Sequence, residues 1–337
     1  MIIIRTPMNC SFCGGGTDLP AFYKKHGGAV ISTSINRYVY ISINPYFYRN
    51  KSVCKYSEFE LVNDPSEISH PILRILLNQF ELYGVEITGT SDIPESSGLG
   101  TDSSFTVGLI NALHKYCGNT VSPDILASEA CHIEIGELCE PIGKHDQYAA
   151  AFGGFNLYSF KQNGDVHVDP VQLQPEYKSL LEGNLLMFYT GSRYEPPKKT
   201  KKTARNAVKT KKPAQSSFLD DDMEKTLLLI RDMTFELHKE LLNGNIDSVG
   251  HFLHAVWEQK RKPVSGISNQ VIDKAYEIAL ASGAKGGKLL GTGDNGFLLL
   301  YAPKCKHTDI KNALCRLRHI PFGFSDSGST VIYSYDD

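Results

Sequence analysis

Three glycine-rich segments of the chain carry residue types that could bind phosphate. The first is GGGTD at 14–18, the second is PESSGLGTDSS at 94–104, and the third is GGKLLGTGDNG at 286–296. Glycine lets the backbone turn its N–H groups inward, and phosphate oxygens accept hydrogen bonds from such groups. Each segment alone is also typical of an ordinary turn, so the interpretation depends on their combination.

The second segment has the strongest local features. Gly98 and Gly100 precede an apolar helical pattern that starts at Phe105, which predicts a helix N-terminus just after the loop. Free N–H groups and the helix dipole favour an anion at that end. The hydroxyls within residues 101–104 could donate to phosphate or bind Mg²⁺. The spacing fits neither a GK[ST] phosphate loop nor a GxGxxG dinucleotide fingerprint.

A carboxylate near the middle of the chain could act as a base. Asp146 lies in the sequence GKHDQ, between a predicted helix and a predicted strand. There it could accept or orient the proton of a substrate hydroxyl. A helix cap or a loop hydrogen bond is the simpler role for one such aspartate. His145 could be a ligand or only a neighbour of this site.

Residues 198–212 contain eight Lys or Arg side chains and no acidic residue. A solvated basic loop and a phosphate-gathering segment both agree with this pattern. Cys10 and Cys13 have CxxC spacing, but the sequence offers no second pair of ligands to complete a zinc site. We therefore expect free thiols.

The composition is that of a globular protein with two domains. The chain has 337 residues, of which 41% are apolar and 21% are charged, and its net charge is −2. This balance gives no reason to expect a nucleic acid or an anionic membrane as a partner. A signal peptide and a long apolar run are both absent from the sequence, so we expect a cytoplasmic protein.

The periodicity predicts a mixed arrangement of helices and strands. We expect strands at 2–4, 29–43, 85–90, 155–160, 184–190, 297–302 and 329–335. We expect helices at 66–83, 105–116, from 122 onward, and at 221–243, 245–260, 268–282 and 307–318. The third glycine-rich segment is predicted to be a loop between a helix and a strand. The fold class is therefore α+β, with domains at 1–183 and 184–337.

The order of these segments resembles that of the GHMP kinases, the superfamily of galactokinase, homoserine kinase and mevalonate kinase. GLGTDSSFTVGLINAL is similar to the family's phosphate loop and following helix, and EPIGKHDQYAAAFGGFN to its catalytic segment. GGKLLGTGDNGF is similar to its third glycine motif. RTPMNCSFCGGGTDLPAFY resembles the opening of the sugar-kinase branch, which includes the D-glycero-D-manno-heptose 7-phosphate kinases. The resemblance covers nearly the whole chain.

The resemblance implies a fold, a reaction and a role for each matching residue. The fold is a ribosomal-protein-S5-like N-terminal domain joined to a ferredoxin-like C-terminal domain, with ATP between them. The reaction is ATP-dependent, Mg²⁺-dependent phosphorylation of a sugar or sugar phosphate, with D-glycero-D-manno-heptose 7-phosphate and its anomeric hydroxyl as the favoured acceptor. The implied roles are catalysis by Asp146, ATP binding by Gly98, Gly100, Thr101, Asp102, Ser103, Ser104, Gly291 and Gly293, acceptor binding by Gly16, Thr17, Asp18 and Arg193, and Mg²⁺ binding by Glu134, Asp102 and Ser103.

Three residues depart from the family pattern. Asn9 stands where the family usually has Lys or Arg, and a cation there would lower the pKa of the base. Asp102 and Asp294 introduce carboxylates into the two phosphate segments. Two alternatives therefore remain open, a nucleotide- or sugar-binding protein with little catalysis and a kinase for another small alcohol. The sequence leaves the oligomeric state open, a homodimer included.

Overall fold

The computed structural model describes residues 1–94, 98–191, 221–261, 268–291 and 296–335. The strands of this part are β1 (Ile2–Cys13), β2 (Gly28–Pro45), β3 (Ser52–Lys55), β4 (Phe59–Val62), β5 (Val85–Ser91), β6 (Phe155–Phe160), β7 (Val166–Pro170), β8 (Leu185–Tyr189), β9 (Gly286–Gly291), β10 (Gly296–Tyr301), β11 (Arg318–His319) and β12 (Thr330–Ser334). They form two sheets, a larger one built from β1–β7 and β12 and a smaller one built from β8–β11.

The α-helices surround these sheets. They are α1 (Pro20–His26), α2 (Pro71–Gln79), α3 (Thr101–Tyr116), α4 (Pro123–Cys131), α5 (His145–Phe152), α6 (Pro175–Gly183), α7 (Asp221–Leu242), α8 (Ser248–Arg261), α9 (Gln270–Ala281) and α10 (His307–Ala313). Short 3₁₀ turns cover Pro65–Glu67 and Lys304–Lys306, and α4 continues into a π-helical segment, His132–Glu137.

The larger sheet has the order β12-β1-β2-β5-β3-β4, and β6 and β7 extend it from the first half of β2. Its pairs are antiparallel except β3 with β5. Helix α3 packs on β1 and β2 through the buried residues Val107, Leu109 and Ile110. Gly108 lets α3 approach closely, because an added Cβ would lie 2.7 Å from the Thr6 hydroxyl.

The smaller sheet is antiparallel, with the order β11-β8-β10-β9. The prediction of a loop for the third glycine-rich segment was wrong over its first six residues, since these form β9. The reason is close packing. A Cβ at Gly286 would lie 1.9 Å from the Gly250 carbonyl oxygen of α8, and one at Gly287 would lie 2.4 Å from the Leu299 carbonyl oxygen of β10.

Other predicted boundaries also change. Helix α3 begins at Thr101, four residues before the predicted start, because Gly100 takes up the left-handed φ of 70° that ends the loop. Strand β1 reaches Cys13 instead of stopping at residue 4, and the predicted helices at 66–83 and 307–318 shorten to α2 and α10. The α+β class is confirmed, because the helices pack on two separate sheets.

The division at residue 184 stays a prediction. One structural fact refines it, since β12 leaves the smaller sheet's half of the chain and pairs with β1. The chain therefore ends on the sheet on which it begins. In the described residues, no helix has both the length and the apolar character that a membrane span needs.

Candidate active site

The candidate base lies at the start of a helix. Asp146 is in the first turn of α5 rather than in the loop before it, and the positive end of a helix favours a negative charge there. Asn9 of β1 donates a hydrogen bond from Nδ2 to Asp146 Oδ1 at 3.0 Å. His145 Nδ1 lies 3.2 Å from the same oxygen, and the other ring nitrogen of His145 is 2.6 Å from the Ser32 hydroxyl.

These contacts set the charge of Asp146. Burial acts to raise its pKa, but His145, the hydrogen bond from Asn9 and the charge of Lys288 outweigh this and hold the pKa below its ordinary value. Asp146 is therefore ionised at neutral pH. An ionised carboxylate can accept the proton of a hydroxyl placed against it.

The second glycine-rich segment lies directly against this base. An added Cβ at Gly100 would lie 2.4 Å from Asn9 Nδ2 and 3.2 Å from Asp146 Cγ. The Asn9 backbone N–H also donates to the Leu99 carbonyl at 3.0 Å, which fixes the loop to β1. The N-terminus of α3, sixteen residues long, is thus within a few ångströms of Asp146.

The two phosphate-like segments meet across the two halves of the chain. An added Cβ at Gly98 would lie 2.3 Å from Gly291 Cα and 2.5 Å from Gly291 N. Both glycines have positive φ values, 87° and 126°, which other residues rarely adopt. Predicted ATP-binding residues far apart in sequence therefore form one surface.

The hydroxyls of the second segment have different partners. Ser104 is fully buried and donates to the backbone carbonyls of Pro7 and Gly100 at 2.9 Å each. Thr101 is also buried, and its hydroxyl points to Met8 Sδ at 3.7 Å. Ser103 donates to a carboxylate, that of Glu134, at 2.9 Å. Asp102 is exposed at the start of α3.

Glu134 lies in the π-helical segment, a backbone form that is frequent at functional sites. Its side chain is 3% exposed and accepts hydrogen bonds from Ser103, Thr106 and Gln147. Burial raises its pKa to about 7, and the charge of Asp102 adds to this effect, although the three donors oppose it. A cation beside Glu134 would relieve the cost of burying its charge.

Oxygen donors of this kind suit Mg²⁺, which prefers carboxylates and usually keeps several waters and phosphate oxygens. Ser103 and Glu134 are adjacent, and Asp102 is near enough to affect the pKa of Glu134. In the described ranges no group of three or more His, Cys, Asp or Glu could hold a metal alone. Ser103, Glu134 and Asp102 offer oxygen atoms that could share Mg²⁺ with a phosphate ligand.

The first glycine-rich segment is joined to the base by Asp18. One oxygen of Asp18 accepts from the Gly16 N–H at 2.9 Å, and the other accepts from the His145 N–H at 3.2 Å. Gly143 makes room for this carboxylate, since an added Cβ would lie 1.8 Å from Asp18 Oδ2. Thr17 is fully buried, and its hydroxyl donates to the Ala29 carbonyl at 2.8 Å and accepts from the Ala29 N–H at 3.0 Å. Asp18 thus lies at the site, whereas Thr17 supports the turn.

Two lysines of the C-terminal half join the site without having been predicted. Lys288 of β9 is 3% exposed and donates to the Ser11 hydroxyl at 3.0 Å. Lys260 of α8 reaches the first glycine-rich turn, since an added Cβ at Gly15 would lie 3.2 Å from its Nζ. Lys288 had a sequence signal, a single lysine in an apolar glycine-rich stretch. Lys260 had none beyond its place in a basic helix end.

Several predictions lie outside the described residues. They concern Arg193, Gly293, Asp294 and the basic stretch at 198–212. Cys10 and Cys13 are described, and both are free, buried thiols, as expected. Burial raises the pKa of Cys10 to about 12, and Cys13 accepts a hydrogen bond from Thr234 at 3.2 Å.

Comparison with known proteins identifies relatives of both halves. The family model described as GHMP kinases N terminal domain matches residues 68–154, and that described as GHMP kinases C terminal matches residues 237–317. The D-glycero-alpha-D-manno-heptose 7-phosphate kinase of Campylobacter jejuni is 25% identical over 322 residues, which cover 92% of each chain. A galactokinase of Pyrococcus furiosus is 24% identical and covers 94% of this chain and 93% of its own.

Solved structures have the same fold. A D-glycero-D-manno-heptose 1-phosphate kinase from Bacteriodes thetaiotaomicron aligns over 100% of both chains, with a TM-score of 0.79 and 23% identity. A galactokinase of Lactococcus lactis in complex with galactose covers 98% of this chain and 94% of its own, with a TM-score of 0.71 and 16% identity. At these identities the structures support the fold alone, and with the two family models they confirm the predicted two-domain fold.

Proposed function

We propose an acceptor and a chemical step for this chain on the premise that it belongs to the GHMP kinases, whose N-terminal and C-terminal domain models both match it. It is an ATP-dependent sugar kinase. The proposed acceptor is D-glycero-D-manno-heptose 7-phosphate, phosphorylated at its anomeric hydroxyl. The name of the Campylobacter jejuni relative supports this acceptor, and the galactokinase supports the broader class of sugars.

The observation that carries the proposal is the contact between base and phosphate loop. Gly100 lies against Asp146, so a hydroxyl held by Asp146 would also face a phosphate at the N-terminus of α3. As the acceptor oxygen bonds to the γ-phosphorus, the bond from that phosphorus to the ADP oxygen breaks. The hydroxyl proton passes to Asp146 Oδ. Catalysis of this kind depends mainly on position and on neutralisation of charge.

Ser103 and Glu134 are the proposed ligands of Mg²⁺, with Asp102 as a third oxygen donor. A bound Mg²⁺ would neutralise charge on the phosphates. Asp18 and Gly16 are proposed to form the acceptor end of the site, because Asp18 bonds to the backbone at the start of α5. Arg193 and Gly293 stay predictions, as do the cytoplasmic location and a homodimer.

A panel of acceptors with coupled detection of ADP tests this proposal. We expect Mg²⁺-dependent ADP formation with D-glycero-D-manno-heptose 7-phosphate, and little with galactose, mevalonate or no acceptor. Phosphorus NMR of the product should contain a second phosphate signal, on the anomeric carbon. Turnover of mevalonate or galactose instead would replace the proposed acceptor while keeping the kinase.

A variant of the base completes the test. Asp146→Ala should lower kcat by about 10²–10⁴, the range for loss of a general base. Asp124→Ala is the matched control, because Asp124 is an exposed aspartate in the first turn of α4. The control should keep wild-type kcat. Normal turnover by Asp146→Ala would remove the assigned base.

A further inference from the structure

The side chain that donates to the base from β1 is uncharged. The amide of Asn9 gives Asp146 a neutral hydrogen bond at 3.0 Å. A neutral donor fixes the orientation of the carboxylate. It cannot neutralise a transferring phosphoryl group as a cation would. The question is therefore whether another part of the chain provides the charge.

Lys288 lies close to this position although it comes from the other half of the chain. Its Nζ donates to Ser11, two residues beyond Asn9 on β1, and residues i and i+2 of a strand share one face. The charge of Lys288 acts on Asp146 and lowers the pKa of that carboxyl. Lys288 and Asn9 thus approach the base from the same side.

The surroundings of Lys288 leave its charge poorly compensated. Among the described residues no carboxylate lies within salt-bridge distance of Nζ, and the side chain is 3% exposed. The groups that face it are Lys260 of α8, the thiols of Cys10 and Cys13 on β1, and Asp146 of α5. Burial and the repulsion of Lys260 lower the pKa of Lys288 to about 7. A buried cation of this kind is expensive unless an anion joins it.

We infer that Lys288 is a catalytic residue, which supplies a cation from β9 beside Asp146 and contacts the phosphoryl group in transfer. This inference rests on the proposed function. The acceptor oxygen still gives its proton to Asp146, and the bond to the ADP oxygen still breaks. Lys288 in its protonated form neutralises charge on the phosphoryl oxygens. Burial, with a smaller effect from Lys260, lowers the pKa of Lys288 to about 7 in the free protein.

A rescue experiment separates this role from a structural one. Lys288→Met should lower kcat about 10²–10³-fold, as for removal of one preorganised donor. Adding Asn9→Lys to that variant restores a cation near Asp146, so the double variant should recover kcat at least about tenfold. Lys285→Met is the matched control, because Lys285 is half-exposed and paired with Asp247 at 3.1 Å. Wild-type kcat in Lys288→Met, or no recovery in the double variant, would overturn the inference.

Calorimetry gives a readout that does not depend on turnover. Above pH 7 the free protein holds Lys288 largely neutral, so an arriving anion should draw a proton onto it. Wild-type protein should take up close to one proton on binding ATP with Mg²⁺, measured from the binding heat in buffers of different ionisation enthalpy. Lys288→Met should take up less. Equal uptake in both proteins would contradict a contact with the anion.

Two further titrations distinguish the sources of that anion. Uptake on binding D-glycero-D-manno-heptose 7-phosphate, without uptake on binding ATP, would place Lys288 at the acceptor's own phosphate and overturn the inference. Uptake with ATP supports it even if the acceptor panel rejects the heptose. Failure of the proposed acceptor and failure of the proposed lysine are therefore separate results.

Discussion

Asp146 and Glu134 are two acidic side chains of one site, and their surroundings act in opposite directions. Burial acts to raise both pKa values. Asp146 has a histidine, an amide donor and the charge of Lys288, and its pKa stays below the ordinary value. Glu134 accepts three hydrogen bonds from neutral donors and has Asp102 nearby, and its pKa rises to about 7. Neutral hydrogen bonds alone do not offset the burial of Glu134.

The difference suits two different tasks. A base must be ionised before the substrate arrives, and Asp146 also benefits from its place in the first turn of α5. A metal ligand gains a positive neighbour only when the metal binds. Until then the ionised form of Glu134 stays unfavourable, because its charge is buried. His145 is therefore the main feature that distinguishes the two surroundings, and the hydrogen bond from Asn9 and the charge of Lys288 add smaller effects. Variants that change the surroundings of Asp146 or of Glu134 test this difference one side chain at a time.

The largest expected effect is on the free energy of unfolding and its dependence on pH. The folded state lowers the pKa of Lys288 to about 7, well below the value of an unfolded lysine. Between these values the unfolded chain binds more protons, so stability rises with pH. From about pH 7 to about pH 9 the wild type should gain about 2–3 kcal/mol from this lysine, at about 1.4 kcal/mol per pKa unit.

Lys288→Met provides the comparison. It should be more stable than the wild type at pH 7, because a buried charge has been replaced by an apolar side chain of similar length. The gap between the two proteins should shrink as the pH rises. Denaturant unfolding at several pH values measures both curves. A gap that is constant with pH would mean that Lys288 is not held near neutrality.

The sequence predicts those site residues that lie in local motifs, but not those that long-range contacts bring to the site. Gly98, Gly100 and Asp146 lie in local motifs, so the order of the motifs was enough to select them. Lys288 became a site residue only when β9 was placed against β1, and no local pattern encodes a contact between residues 277 positions apart. The same limit applies to Thr17 and Ser104, whose hydroxyls the backbone satisfies.

The fold was also predicted where local patterns determine it and missed where long-range contacts do. The long alternation in β2 and the apolar run of β10 were found because each repeats over many residues. Strand β9 was missed because glycines are typical of loops. Here they lie in a strand, where they allow close contact with α8 and β10. The return of β12 to β1 was also beyond local reasoning, since it depends on pairing between the two ends of the chain.

A second prediction disturbs the Asp146 side of the contrast through the loop. Gly100→Ala places a Cβ against Asn9 and Asp146, where φ is 70°. A displacement of the base by about 1 Å should lower kcat about 10²-fold. Gly118→Ala is the control, since its φ is 79° but nothing lies within 4 Å of the added atom. It should lose about 1–2 kcal/mol of stability through strain and keep its kcat. Equal kcat values in the two variants would contradict the proposed contact.

A third prediction concerns the Glu134 side. Glu134→Gln keeps the shape of the side chain but removes the charge that Mg²⁺ would share. The Mg²⁺ concentration for half-maximal ADP formation should rise about ten- to a hundredfold, the range for loss of support around a metal. Glu129→Gln is the control, because Glu129 of α4 pairs with His114 of α3 at 2.9 Å, outside the proposed metal site. An unchanged Mg²⁺ requirement in Glu134→Gln would assign Glu134 a structural role.

The smallest expected effects separate two adjacent serines that the sequence placed in one group. Ser103 donates to Glu134, whereas Ser104 donates to the Pro7 and Gly100 carbonyls. Ser103→Ala should raise the Mg²⁺ requirement a few-fold with little change in stability, because one proposed ligand of Mg²⁺ and its hydrogen bond to Glu134 are lost. Ser104→Ala should cost about 1 kcal/mol of unfolding free energy and leave the Mg²⁺ requirement unchanged. If Ser104→Ala changes the Mg²⁺ requirement as much as Ser103→Ala does, the metal site includes Ser104. The surroundings that set the charge of Glu134 would then include both serines.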